Sequence, residues 1–206
     1  GSVSNAGETE EDADTDSGED GLAAAFGDAV HRICELDRPE SEWGDIINEA
    51  FEIHDIEPTR ANQDEIITHS RRGLAAVQTL HRELQNPLTY NELFVRASLD
   101  VGAVIGYIDH LAVTDDAYYI LDFKTSDTSA RAPTEIAERY WPQLRAYAVA
   151  LAQQDPQERD IHALLYFTDA DQLERSIILS EEINDIRISL EDTLTAVTKT
   201  AERGPD

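Results

Sequence analysis

Asp122 and Lys124 lie two residues apart in the segment YYILDFKTS, residues 118–126. The apolar and aromatic residues before them predict a buried β-strand, in which residues i and i+2 point to the same face. A carboxylate and an ammonium would then be neighbours at the end of that strand, where they could bind a metal ion or orient a water. Lys124 is informative because only two of the 16 basic residues in this chain are lysines.

Asp109 is a second carboxylate that the chain can bring to the same place. The turn TDDA, residues 114–117, joins its strand to the next one, and pairing the two strands around that turn places position 109 opposite position 122. Clustered carboxylates repel one another unless a cation lies between them. Their hard oxygen atoms favour Mg²⁺ or Mn²⁺ over zinc. A lysine beside such an ion can orient a water or stabilise charge that develops on a phosphate.

The alternative is an exposed Asp–Lys ion pair, which contributes less than about 1 kcal/mol to stability. Two considerations favour chemistry at Lys124. Lysine is depleted throughout the chain. Arginine would serve equally well in a structural ion pair, but it does not reproduce a compact ammonium on a flexible stem.

Gln143 and Tyr147 form a second candidate pair, in the segment RYWPQLRAYAVAL. Their spacing of four residues places both side chains on one face of a predicted helix. Beside a phosphate-binding site they could contact a nucleic-acid backbone or base. The alternative is an ordinary helix surface with a half-buried tyrosine.

The elements that must position these residues are predicted from hydrophobic periodicity. Helices are expected at 22–36, 42–54, 59–83, 134–154 and 181–201, and strands at 92–99, 101–113, 118–124, 160–168 and 174–180. This order predicts a mixed α/β (α+β) fold, with the first three strands forming a β-meander. Residues 1–20 are acidic and lack aromatic residues, which predicts a disordered linker or tail before a single domain at 21–203.

Composition restricts the possible functions. The net charge is −27, and together with the scarcity of lysine it favours adaptation to high salt, as in a haloarchaeal protein. Long-range attraction to nucleic acid is then absent, so arginines and bound metal would have to provide binding. Cys34 is the single cysteine, which excludes a four-cysteine iron–sulfur cluster. Without a membrane-length apolar run or a secretory signal, we predict a cytoplasmic protein with no membrane partner. The absence of methionine suggests a piece of a longer protein.

The motifs together resemble the RecB-like branch of the PD-(D/E)XK nucleases. The branch shows a G-x-x-D strand, a D-[YF]-K-T strand and a Q-x-x-x-Y helix, which correspond to Gly106–Asp109, Asp122–Thr125 and Gln143–Tyr147. A G-x-x-x-H motif on the first helix corresponds to Gly27 and His31. The resemblance extends over roughly residues 22–180 and implies a restriction-endonuclease-like core. That core is a central mixed sheet of about four to five strands flanked by helices.

The resemblance also implies roles for individual residues. His31, Asp109 and Asp122 would bind Mg²⁺, for which Mn²⁺ would substitute, with the Phe123 carbonyl as a further ligand. Lys124 would be the catalytic lysine alongside Asp109 and Asp122, and Gln143 and Tyr147 would hold DNA near the site. Glu92 matches an acidic position before the first strand of the family and is a weaker candidate.

The expected function is a metal-dependent, exonuclease-like deoxyribonuclease without an iron–sulfur cluster. In the family, such a domain often forms the C-terminal part of a UvrD/Rep-type helicase of double-strand-break repair or recombination. The partners would be single-stranded DNA ends and a helicase motor in the same parent chain. Two alternatives stay open: an inactive module of the same fold that binds DNA ends or a helicase, and a hydrolase of RNA or small molecules.

Overall fold

The computed structural model describes residues 11–155 and 157–203. The chain forms helices and strands in a mixed order. The helices are α1 (Glu11–Leu36), α2 (Trp43–Ile53), α3 (Arg60–Glu83), α4 (Pro133–Ala137), α5 (Trp141–Gln154) and α6 (Ile183–Arg203). The strands are β1 (Leu88–Leu99), β2 (Gly102–Val113), β3 (Ala117–Lys124), β4 (Asp160–Phe167) and β5 (Gln172–Ile178).

The five strands form one mixed sheet in the order β1-β2-β3-β4-β5. Strands β1, β2 and β3 form an antiparallel meander, β4 runs parallel to β3, and β5 is antiparallel to β4. Connecting the parallel pair requires a crossover, which α4 and α5 provide. The predicted mixed sheet flanked by helices is therefore confirmed, as is the register of the β2–β3 hairpin, in which His110 faces Leu121.

Two hydrophobic clusters cover the two faces of the sheet. On one face, α5 packs on β1, β2, β3 and β4, around side chains such as Ile108, Ile120 and Leu144. On the other face, α1, α2 and α3 pack on the inner strands, around side chains such as Ile33, Phe51 and Phe123. Cys34 is buried in this second cluster, beside Gly73 of α3. Among the described residues, no helix combines the length and the apolar character needed to cross a membrane.

Three predicted elements differ from the structure. The strand predicted at 92–99 begins at Leu88. The helix predicted at 134–154 is divided into α4 and α5, because Pro142 lacks the N–H that would bond to the carbonyl of residue 138. The first helix begins at Glu11 rather than at Leu22. The linker at 1–20 stays a prediction, since residues 1–10 lie outside the described part of the chain and the rest of that segment is assigned to α1.

Candidate functional site

Helix α1 and strands β1 and β2 bring an imidazole and two carboxylates together. His31 lies on α1, Glu92 on β1 and Asp109 on β2. One ligand atom from each residue lies within 4.8 Å of the other two. The three side chains are half-buried, so an ion between them would be partly removed from water but still accessible.

Asp109 is fixed by two contacts to the same oxygen. Its Oδ2 accepts a hydrogen bond of 2.8 Å from the backbone N–H of Phe123 and lies 3.2 Å from His31 Nδ1. Burial by itself would lower the pKa of His31, but the hydrogen bond and charge of Asp109 and the charge of Asp122 outweigh it and raise that pKa. Since a ligating imidazole must be neutral, protons will compete with a metal ion at His31.

Glu92 is held in an unusual backbone conformation. Its φ is +47°, which non-glycine residues adopt rarely and at a cost. The register of β1 and β2 passes from the pair Asn91–His110 to the pair Leu93–Ile108, so Glu92 and Asp109 face each other without pairing. Burial, followed by the charges of Asp109 and Glu35, raises the pKa of Glu92. The positive φ interrupts the pairing at Glu92 but leaves the register of the two strands unchanged, so this acid stays opposite Asp109.

Asp122 and Lys124 form the other half of the site. Lys124 Nζ lies 2.5 Å from Asp122 Oδ2, and both side chains are largely buried. The direction of that contact does not satisfy the geometry of a hydrogen bond, which leaves Asp122 Oδ2 without a hydrogen-bond partner among the described residues. Burial, and then the charge of Asp109, raises the pKa of Asp122 to about 6 although Lys124 opposes the shift.

The donor set fits a divalent cation. One imidazole and two carboxylates converge, and Asp122 contributes a further buried carboxylate close by, in contact with Lys124. The structure groups Glu92 with His31 and Asp109, whereas Asp122 contacts Lys124 and lies outside that group. At Phe123 it is the amide N–H that contacts the site. Ligation by Asp122 and by the Phe123 carbonyl stays a prediction.

The cleft beside this group is acidic. It has a volume of about 710 Å³ and runs between α1 and α2 from the three candidate ligands. Its charged walls include Asp28, Glu35 and Glu49, opposed by Arg32. Such a wall attracts cations and repels phosphate, so a polyanion would require bound metal to approach it.

Tyr140 is a residue that sequence reasoning missed. It lies in the break between α4 and α5, and its ring centroid is 4.2 Å from Lys124 Nζ, which is a cation–π contact. Its hydroxyl is 3.1 Å from Ser126 Oγ. The only signal in the sequence was Pro142, which interrupts the helix two residues after Tyr140. The tyrosine and Asp122 together fix the position of the ammonium.

Gln143 and Tyr147 are brought together as their spacing predicted. Gln143 Nε2 donates a hydrogen bond of 2.7 Å to the Tyr147 hydroxyl, and the tyrosine ring is buried against β2. Burial raises the pKa of Tyr147, and the charges of Asp109 and Asp122 raise it further although Gln143 lowers it, which reflects how close the ring is to the carboxylates. A role of this pair in holding a substrate stays a prediction.

Gly106 is required where it stands because Tyr147 occupies the space of a side chain. A Cβ at this position would lie 2.5 Å from the Tyr147 hydroxyl oxygen. We expect Gly106→Ala to lower the free energy of unfolding by about 1–3 kcal/mol, as overpacking does. Urea unfolding of the variant measures this loss.

The matched control for Gly106 is Gly44→Ala in α2, where no atom lies within 4 Å of the added Cβ. That change should leave stability unchanged or raise it by about 0.5–1 kcal/mol. In a Tyr147→Ala background, Gly106→Ala should cost much less. An equal cost in both backgrounds would show that the tyrosine contact is not the reason for this glycine.

Similarity to known proteins extends over most of the chain. A family model described as the PD-(D/E)XK nuclease superfamily matches residues 7–204. The crystal structure of a candidate exonuclease from Eubacterium rectale is similar, with a TM-score of 0.52 and 12% identity over 90% of this chain and 69% of that one. At this identity the likeness concerns the fold alone. The structure titled SSO0001 gives a TM-score of 0.33 and 15% identity over 90% and 88% of the two chains, too low to support an argument. No curated protein matches this chain in sequence.

Proposed function

Because the chain belongs to the PD-(D/E)XK nuclease superfamily, we propose that it hydrolyses phosphodiester bonds of DNA with the help of Mg²⁺ or Mn²⁺. The observation that carries the proposal is the juxtaposition of two groups. A potential metal-binding set, His31, Glu92 and Asp109, lies beside a buried Asp122–Lys124 pair. A structural ion pair does not need three metal-ligating side chains beside it.

Some side chains of the site would bind the metal ion, and Lys124 would stabilise charge on the phosphate. A bound divalent cation would supply a polarised water and neutralise charge on the phosphoryl oxygens. Lys124 can donate hydrogen bonds to the attacking water or to a phosphoryl oxygen, while Asp122 and the ring of Tyr140 hold its ammonium in place. Attack of the water on phosphorus breaks the opposite P–O bond. The Phe123 N–H keeps the Asp109 carboxylate oriented.

The test of this proposal is cleavage of end-labelled single-stranded DNA in molar KCl. We expect cutting with Mg²⁺ or Mn²⁺ and none in EDTA. Isothermal titration should show Mn²⁺ binding that weakens in His31→Ala, in Glu92→Gln and in Asp109→Asn. Mn²⁺ binding without any cutting would favour the alternative of a DNA-end-binding module. Absence of both would overturn the nuclease.

Tyr140 gives a prediction that separates positioning from chemistry. Tyr140→Leu removes the ring and with it a cation–π contact that contributes about 0.5–2 kcal/mol. The activation free energy should rise by a similar amount, which lowers kcat, and KM should change little. Tyr140→Phe keeps the ring and loses only the contact with Ser126, so it should retain most of the activity. Steady-state kinetics of the two variants measures the difference. Equal losses in both would assign the effect to the hydroxyl.

The finer parts of the proposal concern the biological setting. We infer an exonuclease-like domain of a UvrD/Rep-type helicase that acts in DNA repair, on the strength of the motif resemblance. The net charge of −27 with two lysines supports a halophilic source. If this is correct, both folding and cutting should require molar salt. Optimal activity in dilute buffer would contradict the halophilic assignment while leaving the nuclease proposal intact.

A further inference from the structure

The outer part of the β1–β2 hairpin carries exposed aromatic and aliphatic side chains next to the candidate site. Phe94 and Tyr107 pair across the two strands, with ring centroids 5.4 Å apart. Their exposed fractions are 51% and 55%, and that of the neighbouring Ile105 is 64%. Arg96 faces Ile105 across the strands. We call these four residues the hairpin patch.

The hairpin patch is on the face of the sheet opposite to α5. Residues that alternate with it, Val95 and Ala97, belong to the cluster under α5, and Gly106 is in contact with Tyr147 of that helix. On the patch side, the cluster under α1, α2 and α3 includes residues of β2, β3 and β4 but none from 93–107. The helical layer therefore ends before the hairpin does and leaves the patch uncovered.

The patch continues directly from the candidate metal ligands. Phe94 is two residues from Glu92 on β1, and Tyr107 is two residues from Asp109 on β2, or about 7 Å along each strand. Asp109 contacts His31 of α1, which places it on the same side as the patch. One extended strand of nucleic acid can thus contact both the patch and the site.

The chemistry of the patch fits unpaired bases with their phosphates. Aromatic rings bind bases of any sequence by stacking, and arginine adds contacts to phosphate or to a base plane. Arg96 is exposed and makes no ion pair with a carboxylate in the described part of the chain, so its guanidinium is available. A chain with a net charge of −27 gains little from counterion release, whereas stacking of bases on aromatic rings does not depend on it.

We propose that the hairpin patch is a stacking platform that binds single-stranded nucleic acid and leads it to the candidate site. This inference rests on the proposed nuclease function and adds to it the surface and the residues that recognise an unpaired strand. A duplex would be a poor ligand because its bases are not available for stacking on exposed rings.

The test compares binding of oligo(dT) with binding of an abasic oligomer of the same length, by fluorescence anisotropy in EDTA and molar KCl. The wild type should bind oligo(dT) about tenfold or more tightly than the abasic oligomer. In Phe94→Leu/Tyr107→Leu, which keeps apolar side chains but removes the rings, that preference should disappear. Arg96→Gln should weaken binding of both oligomers.

The matched control is Leu173→Ala/Ile177→Ala, which changes exposed apolar side chains on β5 at the opposite edge of the sheet. It should bind like the wild type. Unchanged binding by the Phe94/Tyr107 variant would overturn the platform. If that variant also changed from dimer to monomer with binding unchanged, the patch would instead be a contact between two copies.

Cleavage assays on the same proteins keep this proposal apart from the nuclease. If the wild type cuts DNA and the double variant binds and cuts equally well, the platform fails and the nuclease stands. If the wild type shows the base preference and loses it in the double variant but never cuts, the platform stands and the nuclease fails. If the wild type binds neither oligomer, the platform fails.

Discussion

Replacement of Lys124 by methionine is expected to reduce metal-dependent DNA cleavage by a factor of about 10² to 10⁴. Methionine keeps an unbranched stem under the Tyr140 ring but removes the ammonium that lies 2.5 Å from Asp122. The water and the phosphoryl oxygens would then lose a donor that no other described cation in the site supplies. Single-turnover cleavage of labelled single-stranded DNA measures the loss.

The control for Lys124 must show that the loss is not unfolding. Arg175→Ala removes an exposed cation from β5 that forms no ion pair in the described part of the chain, and it should cut at the wild-type rate. Circular dichroism should show that the Lys124→Met protein is folded. A folded Lys124→Met protein with full activity would exclude this lysine from the chemistry.

Replacement of Asp122 by asparagine is expected to abolish cleavage and yet stabilise the metal-free protein at neutral pH. Burial raises the pKa of Asp122 to about 6 from an ordinary value of 3.8, so ionisation inside the fold is unfavourable. The neutral amide avoids that penalty, although Lys124 loses its partner. We therefore expect a gain of about 1–3 kcal/mol above pH 6.

The pH dependence follows from the direction of this shift. Below pH 3.8 the carboxyl is protonated in both the folded and the unfolded protein, so it causes no penalty. Between pH 3.8 and about 6 the unfolded chain releases this proton while the folded protein retains it, so stability falls with rising pH and levels off above about 6. Urea unfolding of wild type and Asp122→Asn in EDTA should show a difference at pH 8 that disappears near pH 4.

Asp155 provides a control of opposite sign. The Tyr118 hydroxyl, the backbone of Gln157 and the guanidinium of Arg159 hold the pKa of Asp155 below its ordinary value. Its contribution to stability is present above the ordinary pKa and is lost as pH falls, so Asp155→Asn should destabilise the protein at pH 8. If Asp122→Asn were also destabilising at pH 8, the ionised carboxylate of Asp122 would be favourable in the folded protein. That result would contradict the proposed site.

The local sequence pattern was sufficient to predict the strands that carry the site. Alternation of apolar residues and the turn at 114–117 predicted the β2–β3 hairpin, and the observed pairing of His110 with Leu121 is the predicted register. That register is set by the turn and by the alternation of apolar residues, because a slip of one residue would turn every buried side chain outwards. The family motifs predicted the close approach of His31, on a distant helix, to Asp109.

What could not be predicted depends on departures from regular geometry. The family motif named Glu92 as a weaker candidate, but nothing in NELFV requires the positive φ that this residue adopts opposite Asp109. Tyr140 reaches Lys124 because the connection to the parallel strand β4 turns back over the end of β3. The hairpin patch is visible only once the limits of the helical layer are known, since alternation alone does not show which faces are covered.

The labelling rate of the buried Cys34 can report local opening of this protein. Burial, and then the charges of Asp109 and Asp37, raises the pKa of the thiol to about 12, and its sulfur lies against the backbone of α3. A thiol reagent can therefore react only when α1 separates from α3, and the labelling rate measures that local opening. His31 is less than one helical turn away on α1. An ion that joins α1 to the sheet should slow the labelling, so metal binding could be followed from a reaction at sulfur.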